Sequence, residues 1–256
     1  MTLTVTQEDR VLRLTMNRPG ERNTLNAALC AALVEALEQA DADPAIGAIL
    51  LEAKGEFFSA GIDMDEEAKP HGAGSSFVRC RLFSAGSRLR KPLVAAVQGH
   101  AFSGGLGLIA TAHVAVAAQG ASFGLTDIRA GIWPYSAFYA VSRALGQRRA
   151  LELSLTGRVF STAEALQWGL IHYQTPAFEL EDRAMQLALG LADSSPFAIH
   201  DGLDLAAALS TLNDGEAYDL SMRRRSIAVA APDFLEGAAA LRERRRPIWP
   251  STLASK

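Results

Sequence analysis

The sequence predicts an α/β fold whose second half is mostly helical, and three observations carry that expectation. Apolar runs over residues 45–53, 93–97 and 114–118 are continuous rather than alternating, as in strands buried on both faces. Segments with helical apolar spacing precede the first run, over residues 26–40, and separate the last two, from Leu106. Beyond Tyr135 helical periodicity takes over, at residues 179–192, 196–209, 215–230 and 232–246.

Composition sets the outer limits. The chain has 256 residues, 49% hydrophobic and 21% charged, which is ordinary for a globular protein. It is long enough to bury a core without disulfide or metal staples. A net charge of −3 gives no basic footprint for nucleic acid. No apolar run approaches the roughly 20 residues of a membrane span, and the N-terminus has no basic-then-apolar signal. A cytoplasmic protein is expected. Two cysteines do not make a disulfide framework: Cys30 reads as core and Cys80 as a thiol between two arginines.

In chain order, Leu3, Val5, Val11, Leu12 and Leu14 predict a hairpin turning at Glu8-Asp9. Asn17-Arg18-Pro19-Gly20 reads as a turn. The helix over 26–40 carries Leu29, Leu33, Ala36, Leu37 and Ala40 on one stripe and stops at Asp43-Pro44. Residues 55–65 read as a loop, and the Gly/Ser/Pro-rich residues 70–76 as a mobile one. Residues 77–89 predict a helix whose Arg79, Arg81 and Arg88 form a solvated basic face. Strand 93–97, the glycine-bearing turn 99–105, the helix from Leu106 and strand 114–118 make a βαβ unit. Ser161-Thr162-Ala163-Glu164 is a capping box.

The segment Ser103-Gly104-Gly105-Leu106-Gly107 admits three chemistries. A dinucleotide site needs an acidic residue at the end of the next strand, but that strand ends near Ala118-Gln119. A nucleophile elbow would use Ser103 with Asp127 and His172. An oxyanion hole would use the free N–H of Gly104 at a helix start, with a second N–H from Phe58-Ser59-Ala60-Gly61-Ile62-Asp63, where Ala60 is the candidate.

These last two segments occur with others in a fixed order. Asn17-Arg18-Pro19 with Asn23-Thr24-Leu25-Asn26, Lys91-Pro92 before Gly99, Phe123-Gly124-Leu125-Thr126-Asp127 with Gly131, and Leu155-Thr156-Gly157 accompany them. So do Ala163-Glu164-Ala165 with Gly169-Leu170, and Phe234-Leu235-Glu236-Gly237 with Glu243-Arg244-Arg245. Together they resemble the crotonase (enoyl-CoA hydratase/isomerase) family over nearly the whole chain. The resemblance implies a crotonase-like spiral of ββα units over residues 1–195 and a helical trimerisation region over 196–256. It implies a homotrimer or dimer of trimers, an acyl-CoA thioester substrate, and no cofactor beyond that coenzyme A. It implies oxyanion donors at Ala60 and Gly104. Contacts to the acyl-CoA would come from Arg22, Leu25, Ser59, Ile62, Asp63, Phe102, Trp133 and Arg244, the arginines lying near the phosphates, and residues 77–89 would line part of the acyl pocket.

The sequence departs from the family's hydratases, which use two glutamates. Gly107 stands at the first position and Asp127 at the second. One base suffices to move a proton between two carbons, so double-bond isomerisation at Asp127 is the preferred reaction. Burial beside Trp133 and Leu125 is expected to raise the Asp127 pKa toward the working range. Tyr135 is the candidate second acid. His71 is a weaker candidate, and His100 reads as packed. Hydration with a non-standard second group, decarboxylation or hydrolysis of an acyl-CoA, and acyl-CoA binding without catalysis are the alternatives.

Overall fold

The computed structural model describes residues 2–68 and 74–253. Six strands form one sheet in the order β1 (Leu3–Glu8), β2 (Val11–Met16), β3 (Ala48–Ala53), β5 (Leu93–Val97), β7 (Val114–Ala118), β10 (Tyr173–Thr175). β1 and β2 pair antiparallel as the expected hairpin, and every other pair is parallel. The apolar runs make sense in this setting. Leu50, Val94, Ala96 and Val116 pack on one face under helix α8 (Leu180–Ala192), while Ile49, Leu51, Ala95, Val97 and Ala115 enter the main core on the other. Helix α1 (Ala27–Ala42) closes that core with Leu29, Leu33 and Leu37, its first turn capped by the Asn26 side chain. Cys30 is in the core, where burial pushes its thiol up to about 11.

A second sheet, unannounced by the sequence, runs β4 (Phe57–Ser59), β6 (His100–Phe102), β8 (Ser122–Gly124), β9 (Val159–Ser161). Each of its first three strands follows a long strand of the first sheet, so the chain climbs as a spiral with one strand in each sheet per turn. Residues 55–65, read as loop, thus contain β4 and the single-turn helix α2 (Met64–Glu67). The turn over 99–105 contains β6 and the start of α4 (Gly104–Thr111). Three-residue strands are too short for period-2 alternation to register.

The expected helix over 77–89 begins earlier and ends sooner, as α3 (Gly74–Phe83). The mobile loop expected over 70–76 begins in residues outside those described, as does His71. α5 (Tyr135–Leu145) and α6 (Gln147–Thr156) follow β8, and the Ser161–Glu164 capping box opens α7 (Thr162–Gln167) as predicted. After Ser195 the chain forms α9 (Pro196–Leu209), α10 (Asp214–Ala228), α11 (Pro232–Glu243) and α12 (Pro250–Leu253). α10, α11 and the chain just after them leave Tyr218, Ile227, Leu235, Leu241 and Ile248 exposed. Among the described residues no helix is long and apolar enough to cross a membrane.

Candidate active site

The three short parallel strands β4, β6 and β8 end side by side, with Ser59 paired to Ala101 and Phe102 to Gly124. The chain leaving each strand therefore arrives at one place. The exit of β4 brings Ala60–Ile62, that of β6 brings Ser103 and Gly104, and that of β8 brings Asp127. Glycines permit the close approach. Gly61 has φ +99°, and a Cβ there would lie 2.7 Å from Ser103 Cβ and 3.2 Å from Gly104 N. A Cβ on Gly105 would meet the Ser59 carbonyl oxygen at 2.4 Å. Only glycine fits either position.

The backbone hydrogen bonds correct one expectation. The Ala60 N–H donates to the Arg22 carbonyl at 2.9 Å, so it is spent on holding the loop and is not a free donor. On either side of Ile62, the Leu25 N–H donates to the Gly61 carbonyl and the Asp63 N–H to the Leu25 carbonyl. Among the described residues the Ile62 N–H itself has no partner, nor has that of Gly104 in the first turn of α4. Ile62 and Gly104 both line a cavity of about 270 Å³, and Ala60 does not. The positive φ of Gly61 is the signal that turns the following amide, rather than the preceding one, outward.

Asp127 lies in a short 3-10 turn, Thr126–Ala130, and lines the same cavity. Its Oδ2 is buried without a hydrogen bond. Burial pushes its pKa up, as expected, while the Ser103 hydroxyl and the residue's own backbone N–H pull it down. Ser103 occupies a strained strand-to-helix corner at φ 50°, ψ −116°. His172 is elsewhere, accepting from the Ala115 N–H at 3.1 Å, so the Ser-Asp-His arrangement is not assembled. Arg143 lies against the Tyr139 ring, and no ion pair to Asp127 forms among the described residues.

Trp133 and Tyr135 also line the cavity, with Ile132, Pro134 and Ala137. Tyr135 is 75% exposed, which makes it a rim residue rather than a buried acid. The remaining predicted contacts divide. Leu25 is buried against the place a Gly104 Cβ would occupy, 3.0 Å away. Ser59 is a framework residue, donating to the Asn23 carbonyl at 2.8 Å and accepting from Gly61 N–H. Asp63 caps α2 and accepts from the Thr24 hydroxyl. Phe102 stacks on His100, outside the cavity lining. Arg22 is exposed above the Phe57 ring, on the loop that holds Ala60. Arg244 ends α11 with φ 54° and lines none of this cavity within the protomer. His100 meets the Ser122 hydroxyl at 2.7 Å.

Two residues escaped the sequence reading. Arg79, taken as part of a solvated basic face, is 3% exposed and lines the cavity, paired with Glu67 of α2. Its helix buries Arg79 alongside Leu82 and Phe83, so the charge interrupts the apolar stripe that would otherwise mark the inner face. Phe83, within the segment 77–89 but not singled out there, fills the space beside Gly107. A Cβ at 107 would lie 2.8 Å from its ring and 3.1 Å from Ala137 Cα.

The family model described as enoyl-CoA hydratase/isomerase matches residues 6–252. The chain belongs to the enoyl-CoA hydratase/isomerase family. It is 34% identical to the 2,3-dehydroadipyl-CoA hydratase of Escherichia coli K12, over 96% of this chain and 97% of that one. It is 30% identical to the enoyl-CoA hydratase EchA19 of Mycobacterium tuberculosis, over 95% and 94%. Among solved structures, an enoyl-CoA hydratase from Mycobacterium smegmatis superposes with a TM-score of 0.90 at 30% identity, covering 97% of this chain and 99% of that one. Human enoyl coenzyme A hydratase domain-containing protein 3 does so at 0.92 and 26%, covering 97% and 100%. The crotonase fold expected from the motifs is therefore the fold of this chain.

Proposed function

We propose that this member of the family isomerises enoyl-CoA thioesters with Asp127 as its one acid/base. The observation that carries the reading is the packing at Gly107. The position where the resemblance puts a hydratase's first glutamate holds no side chain, and Phe83 and Ala137 leave no room for one. In the proposed reaction the thioester oxygen sits between the N–H groups of Ile62 and Gly104. Asp127 takes the C2 proton of a 3-enoyl-CoA. The C–H electron pair forms a C1–C2 π bond, and negative charge collects on the thioester oxygen, where preorganised donors are worth about 2.7–4 kcal/mol each. The dienolate then takes the same proton back at C4, and the double bond is left at C2–C3. A buried, unpartnered carboxylate oxygen suits a base whose pKa must rise.

Hydration is the second reading, supported by the names of the relatives and by a second carboxylate in the cavity, Glu67. Glu67 is paired with Arg79 at 2.5 Å, so its carboxylate is already engaged within the wall and not held over the reacting carbons as a second acid/base would be.

Incubation with 3-enoyl-CoA and 2-enoyl-CoA in deuterated water, followed by NMR, separates the two. Bond migration or deuterium exchange at C2, reduced about 10²–10⁴-fold in Asp127→Asn, is the expected result. Full exchange in Asp127→Asn, or water addition as the main reaction, would overturn the isomerase reading.

A further inference from the structure

The cavity beside Asp127 has one polar wall that proton transfer does not use. Arg79 of α3 is 3% exposed and contributes to the lining opposite an apolar set, Ile62, Ile132, Trp133 and Pro134. Its Nη1 donates to Glu67 at 2.5 Å. Its Nε and Nη2 are sealed from solvent and, among the described residues, hydrogen-bond to nothing. The nearest other carboxylate, Glu66, is 3.9 Å from Nη2 and is already accepting from the Ala27 N–H at the start of α1, at 2.7 Å.

A guanidinium cannot escape this situation by losing its proton. Buried donors are almost always paired, so two orphans on one side chain call for an explanation. Nε and Nη2 also form one edge of the planar group. Their parallel N–H bonds match the two oxygens of a carboxylate, or present two donors to a single carbonyl or hydroxyl oxygen. An oxygenated acyl chain satisfies this edge once the guanidinium turns it into the cavity, whereas an all-alkyl chain offers it no acceptor.

We propose that Arg79 is a specificity-determining residue, and that it selects acyl-CoA thioesters whose acyl group carries an acceptor oxygen beyond the reacting carbons. The inference rests on the cavity being the acyl site, as proposed above. Glu67 supplies the access. Its side chain is 30% exposed, so it can release Nη1 to water and let the guanidinium turn toward the cavity. For an incoming carboxylate this is an exchange of one anion for another beside Arg79.

The test compares three 3-enoyl-CoA thioesters of equal chain length, ending in a methyl, a hydroxyl or a carboxylate. An oxygen-bearing chain should exceed the methyl-ended one by about tenfold or more in kcat/KM, mostly through KM. In Arg79→Met that ratio should collapse to about one, and in Arg79→Lys it should fall part-way. Glu67→Gln distinguishes the oxygen source. It removes the internal competitor, so it should raise the ratio for a carboxylate and leave that for a hydroxyl nearly unmoved. Calorimetric titration of the matching saturated thioesters into the wild type and Asp127→Asn reads the same preference without turnover. Binding preference without isomerisation would sink the reaction assigned to Asp127 and keep this inference. Equal or better binding of the alkyl chain, or a ratio unmoved in both Arg79 variants, would overturn the inference whatever the reaction.

Discussion

The floor and the wall of the cavity are built on opposite plans. The floor, made by the exits of β4, β6 and β8, is nearly all backbone. Its side chains are spent internally: Ser59 on Asn23 and Gly61, Asp63 on α2, and Asn23 on Arg18, Lys54 and Phe57. What remains free is a pair of N–H groups and one carboxylate. The wall, made by α2, α3 and the start of α5, is all side chains, several of them charged or partly exposed. A backbone floor fixes where charge can develop and is indifferent to the acyl group. A side-chain wall decides which acyl group fits and leaves the charge on the thioester untouched.

The sharpest way to break that division is at Gly61. An alanine there is strained at φ +99° and collides with Ser103 Cβ and the Phe102 carbonyl oxygen, which must move Gly104 N or Ile62 N. Losing one oxyanion donor costs about 10²–10³-fold in kcat. Gly61→Ala is therefore expected to lower kcat to that degree for alkyl and oxygenated substrates alike, with little change in the preference between them. Steady-state kinetics on both would check it. A change confined to one acyl class would show that floor and wall are not separate.

This division also marks what the sequence could say. The floor was legible because glycine turns and free N–H donors at a helix start have fixed chemical requirements, which single out 58–63 and Ser103-Gly104, while Asp127 is placed by the resemblance to the family. The free N–H lies at Ile62, two residues past the Ala60 that the resemblance suggests, because hydrogen bonding across the Leu25 bridge is not a local property. The long strands were legible from their apolar runs, and the three-residue strands of the second sheet were not. The wall was legible only as a segment, residues 77–89, and not as the side chains that face the cavity. Whether Arg79 meets water or Glu67 depends on how α2 and α3 fold back over α1, and nothing in residues 77–89 encodes that locally.

Gly107 tests the wall from the other side. Gly107→Glu restores the composition of a two-carboxylate site, yet the new Cβ meets the Phe83 ring and Ala137. Overpacking of this kind costs about 1–3 kcal/mol, so the variant should melt several degrees lower and gain no hydration. Pairing it with Phe83→Ala should relieve the clash, and water addition to 2-enoyl-CoA should then become detectable. Hydration by Gly107→Glu alone would mean that Phe83 yields, and would weaken the packing argument for a one-carboxylate reaction.

The smallest effect expected lies at the corner joining the two plans, Ser103. Its hydroxyl favours the ionised form of Asp127 and so holds down a pKa that burial raises. The base must be ionised to take the C2 proton, so activity falls as pH drops through the Asp127 pKa. Burial already places that acid limb above the ordinary carboxylate range. Ser103→Ala removes the one side-chain partner that opposes burial, so the limb of the kcat/KM profile should move to higher pH, while the rate on the plateau changes little. The alternative partner of the hydroxyl, Thr126 at 3.3 Å, gives no such shift. If Ser103 serves only the packing of the corner, Ser103→Ala will alter the melting temperature and leave the limb in place, and the pH–rate profile distinguishes the two.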